Sequence, residues 1–181
     1  DREIEWANNI LDELQDIFDY IYFIEGNHGW RYEMFLKSYA PSGYKHNFDL
    51  PVRLHLKDRG IPFIKYNSWL DIGNMSITHG MYHGSTHLKK HWEASGGRNT
   101  IHGHVHHADC KSFRSRGETV KAWSLPAMCD LNPIYMKNSE SNWTNGFCTM
   151  QMKHNGNFNL HTHEVWDGEL LLPDGKIIKG D

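Results

Sequence analysis

The sequence predicts a mixed α/β (α+β) fold, and three observations carry that prediction. An amphipathic pattern opens the chain and runs into a short, continuous apolar segment. Three strand-like segments end in polar loops rich in Gly, His and Asn. The C-terminal third then changes to short strands separated by turn signals.

Ile4, Ala7, Ile10, Leu11, Leu14, Ile17 and Phe18 recur at helical spacing with Asp, Glu and Asn between them, which predicts an amphipathic helix. Tyr20–Ile24 is uniformly apolar, the pattern of a strand buried on both faces, and Glu25–Gly29 reads as the loop that follows it. A buried strand ending in a Gly-flanked polar loop belongs to layered α/β proteins, in which sites gather at strand C-termini. Helices are expected over Trp30–Ser38 and Val52–Asp58, with Pro51 suited to a first helical position and Gly60 to a stop. Ile61–Tyr66 and Met75–Thr78 read as strands, Thr86–Ala94 as a helix stopped by Gly96-Gly97, and Asn99–Ile101 as a strand.

Beyond these, Lys111–Phe113, Val120–Trp123, Phe147–Lys153, Phe158–Glu164 and Glu169–Leu172 read as short strands. Asn155-Gly156-Asn157 and Pro173-Asp174-Gly175 supply turns. This part is expected to form a mostly antiparallel sheet packed on the first, so that residues 1–181 make a single domain.

Composition narrows the function classes. With 39% hydrophobic and 23% charged residues among 181, the chain is a soluble globular type with enough length for a sizeable core. No apolar run approaches the roughly 18 residues of a membrane span, and no signal-peptide pattern opens it, so no membrane partner is expected. The net charge of −3 lacks the footprint of a dedicated nucleic-acid-binding domain and disfavours a tight hold on long nucleic acid. Cys110, Cys129 and Cys148 are odd in number and form no CxxC, which fits reduced thiols and a cytoplasmic setting.

The most informative stretch is Ile101-His102-Gly103-His104-Val105-His106-His107. In an extended backbone, side chains at i and i+2 share a face, so His104 and His106 would point into one site as neutral imidazole ligands. Alone, the run suits a surface histidine cluster as well as a metal site. On the same reasoning His102 and His107 face away and are supporting or solvated. His83, His87 and His91, at four-residue spacing, would line one helix face; that spacing can bind metal, but they read first as surface histidines. Gly26-Asn27-His28 and His79-Gly80 sit at two other strand ends. Asn27 also suits a simple turn and His79 a strand terminus, while Arg31 is either a phosphate contact or an exposed structural arginine. Together the loops offer amide oxygen and imidazole nitrogen, a set that suits Mn, Fe or Zn better than Ca or Mg.

In order and spacing, Gly26-Asn27-His28, His79-Gly80 and Gly103-His104-Val105-His106 resemble the last three of the five signature motifs of the calcineurin-like metallophosphoesterases. Trp143-Thr144-Asn145-Gly146-Phe147 is similar to phage and bacterial members related to DNA-repair nucleases. The resemblance implies a two-layer β-sandwich flanked by helices, with two divalent metals at one edge. It implies Asn27, His79 and His104 as ligands of the second metal and His106 as a ligand of the first. It implies His28 as the acid that protonates the leaving oxygen, while a hydroxide held by the two metals attacks phosphorus. The substrate would be a phosphomonoester or phosphodiester, nucleotides and nucleic acid included.

The family's first two motifs, Asp-x-His and Gly-Asp-x-x-Asp, do not occur upstream of Gly26, and Asp12 and Asp16 fall within the opening helix and are not stand-ins for them. Gly29 stands where the family usually has Asp or Glu. The expectation is therefore a C-terminal portion of a larger phosphoesterase, lacking N-terminal strands and their carboxylates and holding two, one or no metals by itself. Its exposed sheet edges would invite a homodimer or a complementing N-terminal segment. The alternative is a non-catalytic, degenerate phosphoesterase-fold module used for binding or regulation; a third reading is a His-rich metal-storage protein.

Overall fold

A computed structural model describes residues 2–136 and 141–180. The fold is mixed α+β, with four α-helices and eleven strands in three sheets among the described residues. The chain divides into two compact units, Asp1–Ser68 and Trp69–Asp181.

The first unit opens with helix α1, Arg2–Ile17, where the periodicity placed it. Its Leu11 joins Leu50, Leu54, Leu56 and Ile61 in a buried apolar cluster, with Ile4, Ala7, Ile21, Phe23 and Phe63 packed against it. Ile17 and Phe18, at the end of the same stripe, are exposed, so the stripe is buried only along its first three turns. Asp12 pairs with the Arg59 guanidinium, which also reaches Gln15 Oε1 at 2.8 Å. That pairing gives Asp12 a structural partner within the helix packing.

The expected Tyr20–Ile24 strand is much shorter. Strand β1 is Phe23–Ile24, and Tyr20 and Tyr22 are exposed. β1 pairs in parallel with β2, Phe63–Ile64, itself the core of the expected Ile61–Tyr66 strand. The Glu25–Gly29 loop is also corrected: helix α2, Asn27–Tyr39, starts two residues after β1, so Asn27, His28 and Gly29 form its first turn. A 3₁₀ turn over Ser42–Phe48 leads to α3, Leu50–Arg53, much shorter than Val52–Asp58. His55 takes a left-handed φ of 53°, which ends the helix and turns Leu54 and Leu56 into the core.

The second unit holds two sheets. In the first, β3 (Leu70–Ile72), β4 (Met75–Thr78), β5 (Asn99–His102), β6 (Asp109–Ser115) and β7 (Glu118–Ser124) lie in the order β3-β4-β5-β7-β6. The β4–β5 and β5–β7 pairs are parallel and the outer pairs antiparallel. Arg116 and Gly117 connect β6 to β7 with φ of 49° and 88°, the two positive values a two-residue type I′ turn requires. Helix α4, His87–Ala94, packs against β5, β6 and β7. Leu88 from the helix is buried, as are Met75, Ile101, Val120 and Ala122 from the sheet, and Trp92 stacks on Phe113 with centroids 4.5 Å apart.

The second sheet is antiparallel, in the order β8 (Asn145–Met152), β9 (Phe158–Trp166), β10 (Glu169–Leu171) and β11 (Ile177–Lys179). It meets the first where Trp123 packs edge-on against Phe158 at 5.5 Å. The predicted antiparallel C-terminal region is therefore shared out: β6 and β7 complete the first sheet, and β8 to β11 form the second. No helix among the described residues is long and apolar enough to cross a membrane.

Candidate functional site

In the second unit, adjacent parallel strands β4 and β5 end side by side, with Thr78 opposite His102. The next residues leave the sheet together: His79-Gly80 after β4 and Gly103-His104 after β5. The Gly103 N–H donates to the His79 carbonyl at 2.9 Å, and the His79 and His104 rings lie edge to face with centroids 5.4 Å apart. Gly80 is required here. Its φ is 105°, and a Cβ would come within 3.0 Å of His91 Nε2 and 3.1 Å of His104 Cβ.

The loop differs from the extended backbone read from its sequence. His104 and His106 both have left-handed φ, 64° and 63°, so they leave the sheet by turning rather than by alternating along a strand. Two non-glycine residues held in this region store strain of about 1–3 kcal/mol each, a cost that persists only where the surroundings impose it. Here the surroundings are named contacts. His106 packs edge-on against Trp143 at 4.4 Å, Thr144 N–H donates to the His106 carbonyl at 2.8 Å, and Ala108 N–H donates to Thr144 Oγ1 at 3.2 Å. The Trp143-Thr144 segment thus clamps the histidine loop.

Behind this loop lies a layer that sequence reasoning misassigned. His87 and His91 are not surface residues: both are buried on α4, as is His102 at the end of β5. The α4 helix turns its His87–His91 face toward the sheet, so the four-residue spacing marks an inward face. His91 Nδ1 donates to the His87 carbonyl at 2.9 Å, and its Nε2 accepts the Met81 N–H at 3.0 Å. His87 Nδ1 and His102 Nε2 are 2.9 Å apart. Burial pushes the His91 pKa down to about 4 and His102 to about 2, so the layer is neutral near pH 7. His87 is lowered as well, by burial and by His107, with Asp109 opposing.

Two groups of three metal-capable side chains occur among the described residues, His87 with His91 and His102, and His87 with His107 and Asp109, each with its ligand atoms within 4.8 Å of one another. Both are built on His87 rather than on the predicted His79, His104 and His106. In the first group both His91 nitrogens are already engaged. The second group leaves Asp109 Oδ2 3.7 Å from His87 Nε2. The signal for it was His87 on a predicted helix together with an acidic residue two positions beyond His107.

In the first unit, Asn27 is buried at the start of α2, while His28 and Arg31 are exposed. At Gly29 a Cβ would come within 2.9 Å of Leu50 Cδ2, so Leu50 occupies the space a carboxylate side chain would need. Glu25, passed over in the sequence reading, is buried beside this turn. Its Oε2 accepts the Tyr66 N–H at 3.0 Å, and burial raises its pKa, partly offset by that hydrogen bond.

No family model and no curated protein sequence matches the chain. Among solved structures it is similar to a single-mutant Vps29 from Entamoeba histolytica, at 12% identity and a TM-score of 0.34, over 89% of this chain and 97% of that one. A likeness that slight assigns no function. What the chain's own geometry shows is a mixed α+β protein with a histidine-rich region at parallel strand ends and a His/Asp cluster whose ligand atoms lie within 4.8 Å of one another.

Proposed function

We propose that this chain carries the histidine side of a metal-dependent phosphoesterase centre, cleaving phosphomonoesters or phosphodiesters. The observation that supports it most is the His79–His104 ring pair at the ends of the parallel strands β4 and β5, the location where α/β folds place their sites. The donors fit a borderline-soft divalent ion such as Mn, Fe or Zn: imidazoles at 79, 104 and 106, the last two held in strained backbone by the Trp143-Thr144 clamp. Such ions supply an acidified water and positive charge against the phosphoryl oxygens. In the second unit His79 and His104 would hold the ion and His106 would serve the neighbouring position. In the first unit the motif resemblance gives Asn27 as an amide-oxygen ligand, and it would give the exposed His28 and Arg31 the roles of proton donor to the leaving oxygen and phosphate contact.

The non-catalytic binding module remains the second reading. It is favoured by the pairing of Asp12 with Arg59, which keeps that carboxylate on a structural partner. The two readings part on hydrolysis of a generic aryl phosphodiester with and without Mn²⁺. Slow Mn²⁺-dependent turnover that disappears in His104→Ala supports the phosphoesterase. Mn²⁺-dependent turnover equal in wild type and His104→Ala, or Mn²⁺ binding that survives His104→Ala, overturns it in favour of the module.

A further inference from the structure

We propose that His87, His107 and Asp109 form a second metal site, of the zinc type, which ties the histidine loop to helix α4. The site lies wholly within the second unit and does not rest on the phosphoesterase reading. It uses none of the residues assigned to that centre.

Each of the three side chains has one ligand atom engaged and the other available. His107 Nδ1 donates to the Val105 carbonyl at 3.1 Å, which fixes the ring and leaves Nε2 with its lone pair. His87 Nδ1 faces His102 Nε2 at 2.9 Å, so its Nε2 is the atom that looks out toward Asp109. Asp109 Oδ1 accepts the Cys110 N–H at 2.7 Å, and Oδ2 is left 3.7 Å from His87 Nε2. A hydrogen bond on the far side of each ligand is the usual way a metal-binding histidine or carboxylate is oriented.

The spacing fits a small ion. Bonds of about 2.0–2.2 Å at a tetrahedral angle put neighbouring donors roughly 3.4 Å apart. The His87–Asp109 pair, at 3.7 Å, is within a few tenths of an ångström of that value, and all three ligand atoms lie within 4.8 Å of one another, so binding draws in His107 and the half-exposed Asp109 side chain. The His87 and His107 rings meet edge to face, with centroids 5.2 Å apart and planes at 79°. Two imidazoles and one carboxylate suit Zn²⁺, with the fourth position open to water. Ca²⁺ and Mg²⁺ prefer all-oxygen shells.

The site has a structural consequence. His87 comes from α4, His107 from the end of the histidine loop and Asp109 from the start of β6. One ion joining them would tie the C-terminal end of the segment that carries the left-handed His104 and His106 to helix α4.

The test is a Co²⁺ titration of the full chain followed by visible absorption, with Zn²⁺ as competitor, on wild type, Asp109→Asn, His107→Ala and His104→Ala. Far-UV circular dichroism checks that each variant is folded; Asp109→Asn alters only a half-exposed side chain. Wild type and His104→Ala should both show the intense band of low-coordinate Co²⁺, bleached by Zn²⁺. Asp109→Asn and His107→Ala should weaken binding by about tenfold or more. A wild type without that band overturns the site. So does a band that vanishes in His104→Ala yet persists in Asp109→Asn and His107→Ala, because the ion then sits elsewhere.

Discussion

The rings of His91 and His102 stack with centroids 3.7 Å apart and planes 23° from parallel, both completely buried. Two imidazolium ions would not tolerate that arrangement. Burial holds His91 at a pKa of about 4 and His102 at about 2, below the usual value near 6.5. The folded state therefore binds fewer protons than the unfolded chain once the pH falls below 6.5. Stability from this pair is complete above that value and is lost as the pH drops toward 4 and then 2, at up to about 1.4 kcal/mol per pH unit for each histidine. Urea melts between pH 7.5 and 4.5 should show the midpoint falling in acid, and His102→Phe should flatten that dependence. A midpoint independent of pH contradicts the assignment.

His91 also closes two backbone groups. Replacing it with Leu leaves the Met81 N–H, which His91 Nε2 accepts at 3.0 Å, without that acceptor. A buried donor left unpaired costs about 1–3 kcal/mol. A denaturant series should place His91→Leu that far below wild type, whereas an exposed substitution on the same helix, Lys89→Ala, should stay within about 0.5 kcal/mol.

Gly146 is the most constrained glycine of the second sheet. Its φ is 153°, and a Cβ would sit 2.0 Å from the His163 carbonyl oxygen on the paired strand. Gly146→Ala should cost about 3 kcal/mol or more, because backbone on both strands must move. Loss of amide hydrogen-exchange protection confined to β8, β9 and the Trp143-Thr144 clamp would locate the damage.

At His104 and His106 the backbone and the side chain want different residues. Glycine accepts a left-handed φ without strain, and the relief of about 1–2 kcal/mol is offset by its greater unfolded-state entropy. His104→Gly should therefore leave the melting temperature nearly unchanged while removing an imidazole from the proposed centre. A large drop in stability would mean that the His104 side chain is chiefly structural.

Much of the second unit was legible in the sequence because its signals are local. Met75–Thr78 was recovered as read, and α4 and β5 each to within one residue, from short segments punctuated by glycine. The first unit was harder. Tyr20 and Tyr22 look like core in a one-dimensional pattern, yet only Phe23 and Ile24 pair with another strand. The Val52–Asp58 helix failed at His55, whose left-handed φ satisfies tertiary burial of Leu54 and Leu56 rather than helical propensity. At the candidate site the strand-end histidines were identifiable from glycine context. Their geometry was not, since an i, i+2 rule presumes an extended backbone and His104 and His106 turn away from one. The buried His87 and His91 were misread as surface because composition treats histidine as polar, whereas hydrogen bonds among imidazoles and backbone groups let them serve as core beside His102, which was read as supporting or solvated.

The most direct test of the proposed centre is Mn²⁺ binding by the intact chain, read from the loss of the free-ion electron paramagnetic resonance signal. Wild type should bind Mn²⁺ at micromolar concentration. His79→Ala and His104→Ala should each weaken that binding by about tenfold or more, and Asp109→Asn should leave it unchanged. No binding at micromolar concentration, or binding that survives His104→Ala, would contradict a metal centre at the ends of β4 and β5.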